Sequence, residues 1–129
     1  MVPVTCAVIL NGHKILVTQR SEKMKLPLKW EFPGGKLHEG ETEEECILRE
    51  LKEELAIHVR IIMRLTPSQF NYGTFTIYLI PFLVEYESGT IQIAEHREAK
   101  WLTKEELIHL DWASADIPIL NELLQSTYV

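Results

Sequence analysis

Two cysteines, Cys6 and Cys46, are all the chain contains. Neither belongs to a C-x-x-C pair, and neither has a histidine at zinc-finger spacing. A disulfide framework and a structural zinc site are therefore not what holds this chain together. Both thiols read as reduced, buried small hydrophobes, which suits a reducing compartment. Long apolar runs are also missing, since none approaches the ~18 residues of a membrane span. The opening Met1-Val2-Pro3-Val4-Thr5-Cys6 lacks a basic segment before its short apolar stretch, so no signal peptide is expected. The expected location is the cytoplasm, with no membrane partner. Cations are in the minority, 13 Lys and Arg against 19 Asp and Glu for a net charge of −6. That balance argues against a duplex nucleic acid partner. It also sets a condition, because an acidic site holds phosphate only when cations bridge the two. Repeats and low-complexity tracts are absent. With 129 residues, 46% hydrophobic and 25% charged, residues 1–129 are expected to form one folded domain.

The periodicities outline the elements. Val4 to Leu10 is apolar and β-rich, Asn11-Gly12 follows, and Lys14 to Gln19 is the next strand, which together predict a hairpin. Arg20 to Leu37 reads as a long loop holding Pro27, Pro33 and Gly34-Gly35, and such a loop in a small domain is usually functional. Thr42 with Glu45 forms a capping box. Leu48, Leu51 and Leu55 then make one apolar stripe, with Glu50, Glu53 and Glu54 on a different face and Arg49 reaching only one edge of it. Ile57 to Ile62 favours a strand. Phe75 to Tyr86 is a second long β region, in which Pro81 predicts an edge strand or a bulge. Ser88-Gly89 marks a turn, and Ile91–Ile93 and Ala99–Leu102 read as short strands. Thr103 and Glu106 open a helix to about Leu110, and Asp116–Gln125 is the last helix, with Pro118 in its first turn. The order predicts an α+β fold, an α/β/α sandwich around a mixed sheet.

The chemistry concentrates between Gly34 and Leu55. Like charges at i,i+4 weaken a helix by about 0.2–0.5 kcal/mol, yet Glu50 and Glu54 stand at that spacing with Glu53 between them. Carboxylates converging in this way suit a hard divalent cation with oxygen ligands. Such ions polarise phosphoryl oxygens and acidify bound water, and the glycines let backbone approach the same place. On the residues alone, a solvated acidic face remains the other reading. The remaining histidines show no metal spacing, His96 reads as a solvated loop residue, Trp101 as core, and Trp112 as core or pocket wall.

Gly35, five residues, Glu41, seven residues, and then Arg49-Glu50-Leu51-Lys52-Glu53-Glu54-Leu55-Ala56-Ile57 closely resembles the signature of the Nudix hydrolases. One position departs, Ala56 standing where the family has glycine, which touches the helix end more than the metal site. Glu31-Phe32-Pro33-Gly34-Gly35, Glu95 ahead of Trp101, and Ala115-Asp116-Ile117-Pro118 resemble the MutT-like branch. The resemblance implies Mg²⁺, with Mn²⁺ as a substitute, held by Gly34, Glu50, Glu53, Glu54 and Glu95. It implies catalytic roles for Arg49, Glu50 and Glu53, and base contacts from Arg20, Phe32 and Asn121. The implied reaction is attack of water on a nucleoside triphosphate to give the monophosphate and pyrophosphate. Asn121 tilts the expected substrate toward 8-oxo-dGTP. A CTP or dCTP enzyme, another nucleoside-diphosphate substrate and a non-enzymatic nucleotide sensor are the alternatives, and the protein is expected to be a monomer or homodimer.

Overall fold

Alternation of apolar residues along a strand gives the strand two faces, and here both faces are covered. The computed structural model describes residues 1–129. Its strands are β1 (Val2–Asn11), β2 (Lys14–Gln19), β3 (Trp30–Glu31), β4 (Gly34–Lys36), β5 (His58–Arg64), β6 (Ser68–Asn71), β7 (Thr76–Ser88) and β8 (Glu98–Thr103), and its α-helices are α1 (Glu43–Leu55), α2 (Lys104–Leu107) and α3 (Ile117–Gln125). The sheet runs β3-β2-β1-β7-β5, with β4 against β1, β6 against β7 and β8 against β2. The β1–β7 ladder is parallel, so the sheet is mixed. Cys6, Val8 and Leu10 of β1 pack with Ile15, Val17, Leu79 and Leu83 against Leu107, Ile119, Leu120 and Leu123. On the opposite face Ala7 and Ile9 pack with Leu16, Ile80, Phe82 and Val84 against Ile47, Leu51 and Leu55. This is the α/β/α sandwich with a mixed sheet that the element order predicts.

Several local expectations change. The hairpin turn is Gly12-His13, since Asn11 pairs with Lys14, and Gly12 takes φ 62° as the first position of a II′-type turn requires. The stretch from Arg20 to Leu37 is not wholly loop, because β3 and β4 lie in it. Pro81 sits in the central strand β7, paired with Cys6 of β1, rather than at an edge. It is tolerated because the neighbour on the other side changes there. β6 pairs up to Leu79 and β5 begins at Phe82, so no ladder bond is lost to the missing N–H. Ile91–Ile93 forms no strand. Instead the Gln92 and Ala94 amides donate to Leu55 O and Glu54 O at the end of α1. The α2 helix stops at Leu107, short of Leu110.

The helix α1 shows the correction that matters most. Its capping box between Thr42 and Glu45 is formed, but Leu48 is 42% exposed and the buried stripe is Ile47, Leu51 and Leu55. At 3.6 residues per turn, Glu50 and Glu54 fall inside the arc spanned by this stripe and buried Cys46, not on a separate face. Ala56 ends the helix at φ 59° and ψ 36°, its N–H bonded to Leu51 O and Lys52 O. The left-handed turn is kept although the residue has a Cβ, at about 1–2 kcal/mol of strain. Ala56→Gly is expected to stabilise the fold by about 0.5–1 kcal/mol, the relief being partly offset by the freer unfolded chain. A rise in the urea midpoint at constant m would show it, and an unchanged midpoint would deny the strain.

Candidate active site

The site begins where the sheet meets α1. Gly34 and Gly35 face Cys6 and Thr5 of β1, and Thr5 Oγ1 donates to Gly35 O at 3.2 Å. A Cβ on Gly34 would stand 2.0 Å from Thr5 O, and one on Gly35 would stand 2.3 Å from the carboxyl carbon of Glu50. The first glycine therefore lets two backbones meet, and the second makes a cradle in which the Glu50 carboxylate lies.

Arg49 gathers the acids. Its Nε and Nη2 donate to the two oxygens of Glu41 at 3.0 and 2.7 Å, Nη1 donates to Glu50 Oε1 at 2.8 Å and Glu53 Oε2 at 3.1 Å, and Nη2 also donates to Lys36 O at 3.1 Å. All the donors of a guanidinium are thus used. The expectation that Arg49 reaches only one edge of the acidic group is corrected, since it clamps three carboxylates. Glu50 is 7% exposed, and a buried carboxylate needs such a partner. The Arg49 hydrogen bond is the main reason the Glu41 carboxyl is lowered to about 2. A lowered acid contributes stability above its unfolded value near 4.5 and loses it as pH falls toward 2. Glu41→Gln is therefore expected to flatten acid unfolding between about pH 4.5 and 2. A slope equal to that of the parent would sink this assignment.

Beside the glycines opens a cleft of about 560 Å³ whose lining includes Gly34, Gly35, Glu50, Glu54, Glu95, Arg20, Glu31, Phe32, Tyr72 and Asp116. Two groups of acids share it. The Glu54 carboxyl is raised, first by burial and then by the charges of Glu95, Glu50 and Glu31, against the pull of His96. The Asp116 carboxyl is raised well above its usual value by burial and by Glu31, against the Phe32 amide and Arg20. Glu31 is common to both. Arg20 Nη1 donates to Glu31 Oε1 at 2.9 Å, and the Phe32 amide donates to Asp116 Oδ2 at 2.8 Å. Asp116 is brought there by the bridge between Trp30 and Trp112, with Trp30 N–H donating to Asp111 O and Ala113 N–H to Trp30 O, each at 2.9 Å.

The cleft collects Gly34, Glu50, Glu54, Glu95, Arg20 and Phe32 from the residues singled out by sequence. Glu53 is not among its lining. Its side chain is 58% exposed and turned to Arg49. Phe32 is a buried core residue, its ring 4.7 Å from that of Trp112, and offers the cleft floor rather than a free stacking face. Asn121 lies elsewhere, in an open depression with Thr66, Pro118 and Glu122 that shares no residue with the cleft. The reason is that α3 buries Ile119, Leu120 and Leu123, which turns Asn121 outward. Among the charged residues of the cleft, Glu31 and Asp116 carried no role from sequence. Both lie within segments that carried the resemblance, yet their types gave no hint that Asp116 is buried and Glu31 half-buried. His96, expected to be solvated, is buried behind Glu31 and Glu54.

Residues 1–123 match the NUDIX domain family. The CTP pyrophosphohydrolase of Escherichia coli is 33% identical over 124 residues, covering 96% of this chain and 92% of that protein. A putative 8-oxo-dGTP diphosphatase 2 of Mycobacterium tuberculosis is 36% identical over 116 residues, covering 88% and 81%. Among solved structures, the solution structure of the E. coli ORF135 protein has a TM-score of 0.84 at 33% identity and covers 96% of this chain and 89% of that one.

Proposed function

Since this chain belongs to the NUDIX domain family of hydrolases, we propose that it is a divalent-metal-dependent nucleoside triphosphate pyrophosphohydrolase that releases a nucleoside monophosphate and pyrophosphate. The observation that carries this reading is the single cleft holding both the crowded carboxylates around Glu50 and the acid pair of half-buried Glu31 and buried Asp116.

The donors fit a hard cation. Glu50 is cradled against Gly35, Oε1 is clamped by Arg49, and no side chain or backbone group donates to Oε2. Glu54, Glu95 and the Gly34 carbonyl would hold Mg²⁺ or Mn²⁺ beside it, with Glu53 outside the cleft on Arg49. No three of the acidic, His or Cys side chains converge on one point, so an ion here would have to keep several waters and share the phosphates. When bound, the ion supplies charge for the phosphoryl oxygens and lowers the pKa of water. The remaining work belongs to the chain. Glu50 Oε2 accepts a hydrogen bond from the attacking water and orients it, Arg49 keeps that carboxylate in place, and the cleft aligns the triphosphate so that pyrophosphate leaves.

The base reading moves with Asn121 out of the cleft, because the tilt toward 8-oxo-dGTP rested on it. Asp116 takes its place. A neutral carboxyl presents one donor and one acceptor, which matches N3 and the N4 amino group of cytosine. An ionised carboxylate presents acceptors only, which matches N1–H and N2–H of guanine. The raised Asp116 favours the neutral form and hence a cytidine nucleotide, with 8-oxo-dGTP as the second substrate to test. A raised acid is neutral below its folded pKa, so the cytidine preference is expected to fall as pH rises through that value. Asp116→Asn keeps one donor and one acceptor. It is expected to cleave CTP with a flatter pH profile and to gain stability at alkaline pH.

Pyrophosphate release from CTP, dCTP, 8-oxo-dGTP and dGTP with Mg²⁺ tests the whole. Cleavage of CTP that survives in Asp116→Asn supports the cytidine reading. A preference for 8-oxo-dGTP that this change abolishes replaces it with the guanine reading. No release from any triphosphate by the folded protein overturns the function.

A further inference from the structure

His96 is the side chain that faces both groups of acids. It follows Glu95 in the segment between β7 and β8, which is tied at Gln92 and Ala94 to the last carbonyls of α1 and at Arg97 to Gln19 O, at 2.9 Å. The imidazole is thus fixed from the helix on one side and from β2 on the other, with its side chain 3% exposed. Nε2 lies 2.7 Å from Glu31 Oε2, on the carboxylate whose other oxygen takes Arg20. Nδ1 is buried with no hydrogen-bond partner and faces Glu54 Oε2 at 3.7 Å. That distance is too long for a hydrogen bond and too short to admit a bridging water. The large majority of buried side-chain polar atoms have a hydrogen-bond partner, and one left without calls for an explanation. Here the second nitrogen is left waiting on a carboxylate that no other group holds.

We infer that His96 is a positioning residue shared by the two ends of the reaction. Through Nε2 it holds Glu31 toward the base, and through Nδ1 it secures Glu54 when that carboxylate turns to the cation. The inference rests on the cleft being the nucleotide site. Partners of this kind, one bond behind a ligand, change metal affinity or activity by about 10–100-fold when removed.

Two isosteres separate the roles, since a glutamine amide takes the place of Nε2 and an asparagine amide that of Nδ1. The readouts are the Mn²⁺ dissociation constant by electron paramagnetic resonance without nucleotide, and KM and kcat for CTP. In His96→Ala both the Mn²⁺ constant and KM are expected to rise about 10-fold. His96→Gln is expected to restore KM alone, and His96→Asn the Mn²⁺ constant alone. Alanine leaving both constants unchanged overturns the inference, as do glutamine and asparagine moving both constants together, the mark of a packing residue. If the parent protein cleaves no triphosphate, the nucleotide reading fails, while the Mn²⁺ constants still report whether His96 secures Glu54.

Discussion

Glu50→Gln is expected to lower kcat for triphosphate hydrolysis by about 10²–10⁴-fold, the range typical of losing a group that handles the reacting proton. The fold should survive, because the glutamine oxygen can still accept from Arg49 and the side chain keeps its volume in the cradle of Gly35. Glu54→Gln is expected to cost a comparable factor through weakened cation binding, visible as a higher Mg²⁺ requirement. Glu53→Gln should cost only about 10-fold, because its carboxylate stands outside the cleft and acts through Arg49. The ranking is the test. If Glu53→Gln loses as much as Glu50→Gln at saturating Mg²⁺, the cleft does not mark the residues nearest the chemistry.

The adjacent glycines are expected to fail in opposite ways. In Gly34→Ala the new Cβ meets Thr5 O at 2.0 Å and Cys6 Cα at 2.6 Å. Both are backbone atoms of a buried strand and neither can rotate aside, so β4 must leave β1, at about 3 kcal/mol or more. In Gly35→Ala all three nearest atoms belong to the Glu50 carboxylate, the far end of a side chain that can swing away. That variant should melt close to the parent and yet lose about 10²-fold in kcat, the cost of moving a reacting group by about an ångström. Thermal midpoints and kcat measured on both decide it. A Gly35→Ala enzyme with unchanged kcat would show that Glu50 does not work from the cradle.

How much of this was legible follows from what a one-dimensional pattern records. The capping box at Thr42, the paired glycines and the run of glutamates announce themselves, because each depends on neighbours within a few residues. The strands are visible because alternation is local as well. The rotation of α1 is not. Leu48 and Ile47 are equally apolar, and only the packed sheet decides which one is buried and so carries Glu50 and Glu54 inward. Asp116 and His96 look like surface residues by type, and their burial comes from contacts with β3 and with the end of α1, far away along the chain. Asn121 is the reverse case, since its chemistry suits a base but the apolar side of α3 places it outside the cleft. Pro81 reads as a strand breaker until the switch from β6 to β5 is known.

The parallel ladder between β1 and β7 also governs how the chain acquires its structure. It sets Val2 beside Ile77 and Leu10 beside Glu85, so the innermost strands belong to the two ends of a long loop that must close before either is satisfied. Contacts so distant in sequence slow the search. Refolding should therefore be slower than for a helical bundle of this length. During synthesis the apolar face of β1 stays without its partner until residue 85 has emerged, and that interval is when the nascent chain is most prone to aggregate.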